Sequence, residues 1–105
     1  MYKKFNGCPI AKSLKIFGDK WSLIILRDVL FDKKRHFHEF IQSSEKISSN
    51  ILANRLKNLQ AMKLLESKID CNNKRVKVYT ATEKAKDLEP LLIEMSKWGS
   101  KYDIY

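Results

Sequence analysis

The spacing of apolar residues changes twice along the chain, and the order of those changes limits the folds open to it. Up to Met62, apolar side chains recur every three or four residues, the repeat of helices with one buried face. From Leu65 to Thr80 the repeat becomes two: Leu65, Ser67 and Ile69 alternate with Glu66, Lys68 and Asp70, then Val76, Val78 and Thr80 with Arg75, Lys77 and Tyr79. Alternation at that period is the signature of strands with one inward face. Asn72-Asn73 sits between the two runs, and asparagine tolerates the positive φ that a tight hairpin needs. After Thr82-Glu83 the helical repeat returns, with Leu88, Leu91, Leu92, Met95, Trp98 and Tyr102 on one stripe. Pro90 should kink this last helix or start a second one near Glu89. The pattern predicts a mainly α fold with a small β-hairpin (α+β), and a chain of 105 residues holds one such domain.

Within the first part, Cys8-Pro9-Ile10 opens a short helix with Pro9 at its first position. Ile10, Leu14 and Phe17 share a face, and Gly18-Asp19 ends the segment. The next helix, about Lys20 to Phe31, is apolar nearly all round, as expected of the buried centre of a small domain. Asp28 is the one acid on it that invites explanation, and pairing with a base of the same domain is expected. A polar loop, Asp32-Lys33-Lys34-Arg35, leads to a third short helix carrying Phe37, Phe40 and Ile41.

A longer helix then runs from Ser48 to about Met62, with Ser48 or Ser49 as its N-cap. On a helical wheel with Leu52 at zero, Leu56 and Leu59 fall within about 40°, while Asn50, Asn54 and Lys57 fall about 140–160° away. The outward face therefore carries amides and a base, and there is no acidic residue between Lys46 and Leu65. A short helix, a turn, a longer helix and a basic hairpin follow one another in the winged helix-turn-helix order. In such a fold the longer helix enters the major groove of double-stranded DNA. Ser49, Asn50 and Asn54 are the expected base-reading residues, since asparagine can pair bidentately with adenine. Ser48, Lys57, Lys33, Lys34 and Arg35 are expected at the phosphate backbone, and Lys74, Arg75 and Lys77 on the wing. The charge is placed accordingly. Residues 1–80 carry 17 Lys and Arg against 7 Asp and Glu, whereas residues 81–105 carry 4 against 5. The first part is thus the one suited to a polyanion.

Cys8-Pro9-Ile10, Gly18-Asp19-Lys20-Trp21 with Ile24-Ile25-Leu26, and Arg35-His36-Phe37-His38-Glu39-Phe40 resemble the HxlR-type branch of the MarR-like winged-helix regulators. So do Ile47-Ser48-Ser49-Asn50-Ile51-Leu52, Arg55-Leu56-Lys57-Asn58-Leu59, Tyr79-Thr80-Ala81-Thr82-Glu83 and Trp98-Gly99. Two departures, Ala81 and Ala85 where the family pattern has leucine and glycine, concern packing of the last helix. The resemblance implies a transcription regulator that binds a pseudo-palindromic operator as a homodimer. The terminal helices (about 8–17 and 83–102) would form the interface, through Ile10, Leu14, Ile16, Leu91, Met95, Trp98 and Tyr102. Ile93, opposite the main stripe, and Ile16, off the stripe of its helix, also want a partner surface. Several proteins similar to this one use a cysteine at the place of Cys8 to respond to oxidants or electrophiles. A helix N-terminus with Lys3, Lys4 and Lys12 nearby favours thiolate there, so Cys8 is a candidate sensor; Cys71 has no such surroundings.

Other functions find little support. No nucleophile–base pair, phosphate-cradling glycine loop or carboxylate cluster points to an enzyme. The two cysteines form no metal-ligand spacing, and His36 and His38, two apart on an expected helix, should point in different directions. No cofactor is expected, and a small-molecule effector stays unspecified. No apolar run is long enough for a bilayer and the first residues lack a signal peptide's apolar core, so a cytoplasmic protein without membrane contact is expected. The remaining alternative is a winged-helix module that binds protein or RNA without operator specificity.

Overall fold

The computed structural model describes residues 7–102. Its elements in chain order are α1 (Pro9–Phe17), α2 (Lys20–Leu30), α3 (Phe37–Ile41), α4 (Ser49–Ala61), β1 (Leu65–Ile69), β2 (Lys77–Ala81), α5 (Glu83–Lys86) and α6 (Glu89–Lys101). This is the winged helix-turn-helix fold that the alternation of periods predicts. α2 is the centre of the domain: Ile25, Leu26, Val29 and Leu30 are buried and touch Phe40 of α3, the leucines of α4 and Tyr79 of β2 in one core.

Helix starts follow local chemistry. Asp19 caps α2 by accepting from the Ser22 amide at 2.9 Å, Ser48 caps α4 by accepting from Ile51, and Thr82 caps α5 by accepting from Ala85. Gly18 sits at the α1–α2 joint, where a Cβ would stand 2.6 Å from the Leu14 carbonyl oxygen. The end of α4 carries no such sequence signal. Lys63 adopts a left-handed φ of 61°. Its amide bonds Gln60 while that of Leu64 bonds Leu59, the paired closure usually built on glycine. Burial of both Leu59 and Leu64 holds lysine in that conformation. Pro90 starts a second helix rather than kinking one, so the expected last helix is divided into α5 and α6.

The hairpin differs from expectation in two respects. In β1, Leu65 and Ser67 do face inward, but in β2 the inward set is Tyr79 and Ala81, not Val76, Val78 and Thr80. Two tertiary contacts decide this. The Tyr79 amide donates to the Arg35 carbonyl at 2.8 Å, and its ring meets Phe40 edge-on with centroids 6.2 Å apart. Asn72 and Asn73 do not use positive φ. Asn73 instead accepts from the Arg75 amide through its side chain at 3.1 Å, and the Asp70 amide closes the longer loop on the Val76 carbonyl.

α1 and α6 contribute no fully buried residue. Ile16, Leu88 and Leu92 pack against the core from outside. Phe17 is half-buried, and most of the remaining apolar content is turned outward: Ile10, Leu14, Leu91, Met95 and Trp98 are exposed, as are Ile93 and, just after α6, Tyr102. No helix among the described residues is long and apolar enough to cross a membrane.

Candidate nucleic-acid interface

α4 turns Leu52, Leu56 and Leu59 fully inward. Ser49, Asn50, Asn54 and Lys57 are exposed on the opposite side together with Ala53 and Asn58. The helix stands on α3 and α2, so its outward face is held by a packed core. Lys57, Lys74, Arg75 and Lys77 are exposed and form no ion pair among the described residues. Ser48 spends its hydroxyl oxygen on the cap, leaving its hydrogen free to donate.

The loop before α3 is more constrained than its charge suggests. Asp28, only 1% exposed, accepts from Arg27 at 2.7 Å and from Lys34 Nζ at 3.3 Å. Arg27 reaches on to Glu45 at 2.7 Å. Asp28 is thereby paired within the domain, as expected of a buried acid, and Lys34 is drawn inward. Lys33 has a φ of 58° and donates from Nζ to the Leu30 carbonyl. Of the three basic loop residues, Arg35 alone has an exposed side chain without a hydrogen bond among the described residues.

Two features of the site lay outside the sequence reading. Arg55 bridges α4 to the start of α2, with Nε 2.7 Å and Nη2 3.2 Å from the two Asp19 oxygens. Their separation of 36 positions leaves no local signal. The other is His36, which caps α3 in an extended conformation and so stacks on His38, centroids 5.4 Å apart. The expected divergence of the two rings assumed that both lie within the helix. His36 Nδ1 stands 2.9 Å from Glu39 and Nε2 3.1 Å from Asp70 at the base of the wing. Among the described residues no group of three or more His, Cys, Asp or Glu side chains is arranged to hold a metal ion.

These pairs define a stability window. The Arg55 guanidinium holds Asp19 down to about 2, the Arg35 amide and His36 hold Glu39 at about 2, and Arg27 holds Glu45 at about 2. Their stabilisation is present above the ordinary carboxylate values and is lost as pH falls from about 4.5 toward 2. Glu39 and Asp70 raise His36 above 6.5, so its contribution is present below 6.5 and lost as pH rises through the raised value. Thermal unfolding is expected to be most favourable to the fold near pH 5–6. The alkaline decline should vanish in His36→Ala. An alkaline decline equally large in that variant would assign it to another group.

Cys8 is the half-buried N-cap of α1 and lies beside an open hollow of about 940 Å³ whose walls include Lys12, Lys15 and Lys84. Lys3 and Lys4 lie outside the described residues. Cys71 is exposed on the wing loop.

A core-seated helix behind a helical turn, with a basic hairpin beside it, defines a winged-helix DNA-binding protein. The chain belongs to the HxlR-like helix-turn-helix family, whose pattern it matches over residues 16–104. It is 34% identical over 98 residues to the HTH-type transcriptional regulator YdeP of Bacillus subtilis, covering 93% of this chain and 76% of that one. Among solved structures it is similar to the redox regulator HypR in its oxidised form, with a TM-score of 0.80 and 28% identity over 93% of this chain and all of that one. It is also similar to the reduced transcriptional regulator YodB from B. subtilis, with a TM-score of 0.73 and 31% identity over 92% and 95% of the two chains. YodB has also been solved quinone-bound and diamide-treated. The family is one of DNA-binding transcription regulators, not of enzymes.

Proposed function

We propose that the protein regulates transcription in the cytoplasm by binding a pseudo-palindromic operator as a homodimer. α4 enters the major groove with Ser49, Asn50 and Asn54 toward the base edges. Ser48, Lys57, Lys33, Lys34 and Arg35 line the phosphates, Arg35 being the least encumbered of the loop bases, and Lys74, Arg75 and Lys77 follow the backbone beyond the wing. The observation that carries this reading is the acid-free outward face of a helix whose opposite side is locked into the core. The dimer is supported by the terminal helices, which with Tyr102 at the end of α6 hold seven of the ten exposed large hydrophobic residues among the described residues.

The test compares a duplex from upstream of the protein's own gene with random duplex and with structured RNA. The operator is expected to bind at least about 10³-fold more tightly, with affinity falling steeply as salt rises. Equal affinity for all three would contradict the proposal. Lys57→Ala and Arg75→Ala should each weaken binding to every duplex and flatten the salt slope by about 1.

Cys8 is the proposed point of entry for oxidants or electrophiles. Its position at a helix start beside a lysine-lined hollow supports this, as do the redox-related neighbours. Diamide or a quinone is expected to weaken operator binding by wild type and to leave Cys8→Ser unaffected. An equal response in the variant would remove Cys8 from that role.

A further inference from the structure

The two outward asparagines of α4 are not chemically equivalent. Asn54 Oδ1 lies 2.8 Å from Arg55 Nη1 and 3.3 Å from Asn58 Nδ2. A guanidinium has only donors, so the Asn54 atom facing it must be the oxygen. That oxygen has two lone pairs, and the two contacts occupy both. Arg55 is itself fixed, since its Nε and Nη2 grip the two oxygens of Asp19, and Asp19 also accepts from the Ser22 amide and hydroxyl. A chain of hydrogen bonds thus runs from the N-cap of α2 to the amide of Asn54. The Asn50 amide, one turn earlier, makes no hydrogen bond among the described residues and is exposed.

Resting on the reading of α4 as the groove helix, we infer that Asn54 is a donor-only reader that selects a base presenting acceptors, guanine before thymine, and that Arg55 is the residue positioning it so. The bidentate pair of asparagine with adenine needs both an N–H to N7 and an oxygen to receive from N6. Asn50 has both to offer. Asn54 has only its NH₂ group left, and toward adenine it would keep one bond of two and set its occupied oxygen against an amino group. Guanine presents N7 and O6, and thymine O4, to the same NH₂. Neighbouring residues on one helix thereby read different bases although they are the same amino acid. The Asp19–Arg55 pair sets the second preference from the far side of the helix.

The experiment is selection of duplexes from a randomised pool by the full chain, with Asn50→Ala and Asn54→Ala used to assign one position to each residue. Wild type is expected to take guanine or thymine at the Asn54-dependent position, with adenine disfavoured about tenfold, and adenine at the Asn50-dependent one. Arg55→Met frees Oδ1, and the Asn54-dependent position should then shift toward adenine by a similar factor. A second variant guards against misfolding of the first. Asn54→Asp retains an acceptor for Arg55 but has no donor, and it should abandon guanine and thymine for a base carrying an amino group. Adenine under Asn54 in wild type, no base preference dependent on Asn54, or an unchanged preference in both variants would overturn the inference. Failure of wild type to enrich any duplex would instead overturn the reading of α4 on which it rests.

Discussion

Asp28→Ala is expected to destabilise the fold by about 3 kcal/mol, a large share of the roughly 5–15 kcal/mol that holds a domain together. The carboxylate is 1% exposed and receives Arg27 Nε at 3.0 Å, Arg27 Nη2 at 2.7 Å and Lys34 Nζ at 3.3 Å. Removing it strands two cations around a new void at the last turn of α2. Arg27 retains Glu45 and some solvent, which places the cost at the lower end for a broken buried pair. The loop that carries Lys33 to Arg35 loses an anchor at the same time, though the Lys34 amide keeps its bond to the Asp28 carbonyl at 3.0 Å. Denaturant unfolding checks the number, and a loss below about 1 kcal/mol would mean the network is screened like a surface pair.

The second large effect concerns assembly. Met95→Glu combined with Trp98→Glu is expected to convert the proposed dimer to a monomer and to lower affinity for the proposed operator at least about 100-fold, because a second half-site would no longer bind at high effective concentration. Met95 is 46% and Trp98 59% exposed, and the Trp98 ring lies against Tyr102 with centroids 5.5 Å apart on the same face. Since α6 adds no fully buried residue to the core, the monomer should remain folded, its melting temperature lowered only by the loss of association. Sedimentation and gel shift read the two outcomes. A variant that remains dimeric would place the interface elsewhere.

What the sequence discloses here depends on whether one short-range pattern decides the outcome. α4 is legible because three leucines at helical spacing face away from a side that is polar but for Ala53, so a single burial rule orients it. The pairing of Asp28 is legible too, since a lone acid on an apolar helix has few ways to be satisfied. The facing of β2 is not. Val76, Val78 and Thr80 have the side chains most suited to an inward strand face, and two contacts of Tyr79, its amide on the Arg35 carbonyl and its ring on Phe40, reverse their parity. The end of α4 is obscured because Lys63 stands in a conformation that glycine usually advertises. Arg55 and Asp19 meet only through the tertiary fold, whereas Asn58, about 120° from Leu52 on the wheel, was open to the same rule that exposed Asn54. Of the expected interface residues, Ile16 turns to the core while Ile10 and Leu14 stay outside; helix periodicity separates Ile16 from the other two but does not decide which side meets the core.

The claim on which the account depends is that the outward face of α4 meets base edges. The side-chain amide resonances of Asn50 and Asn54 in isotope-labelled protein, followed by NMR as the selected duplex is added, test it without any substitution. Both NH₂ pairs should shift and become protected from solvent exchange at one equivalent of half-site, alongside backbone amides of the wing. Unmoved asparagine resonances in a saturated complex, with shifts confined to another surface, would contradict it.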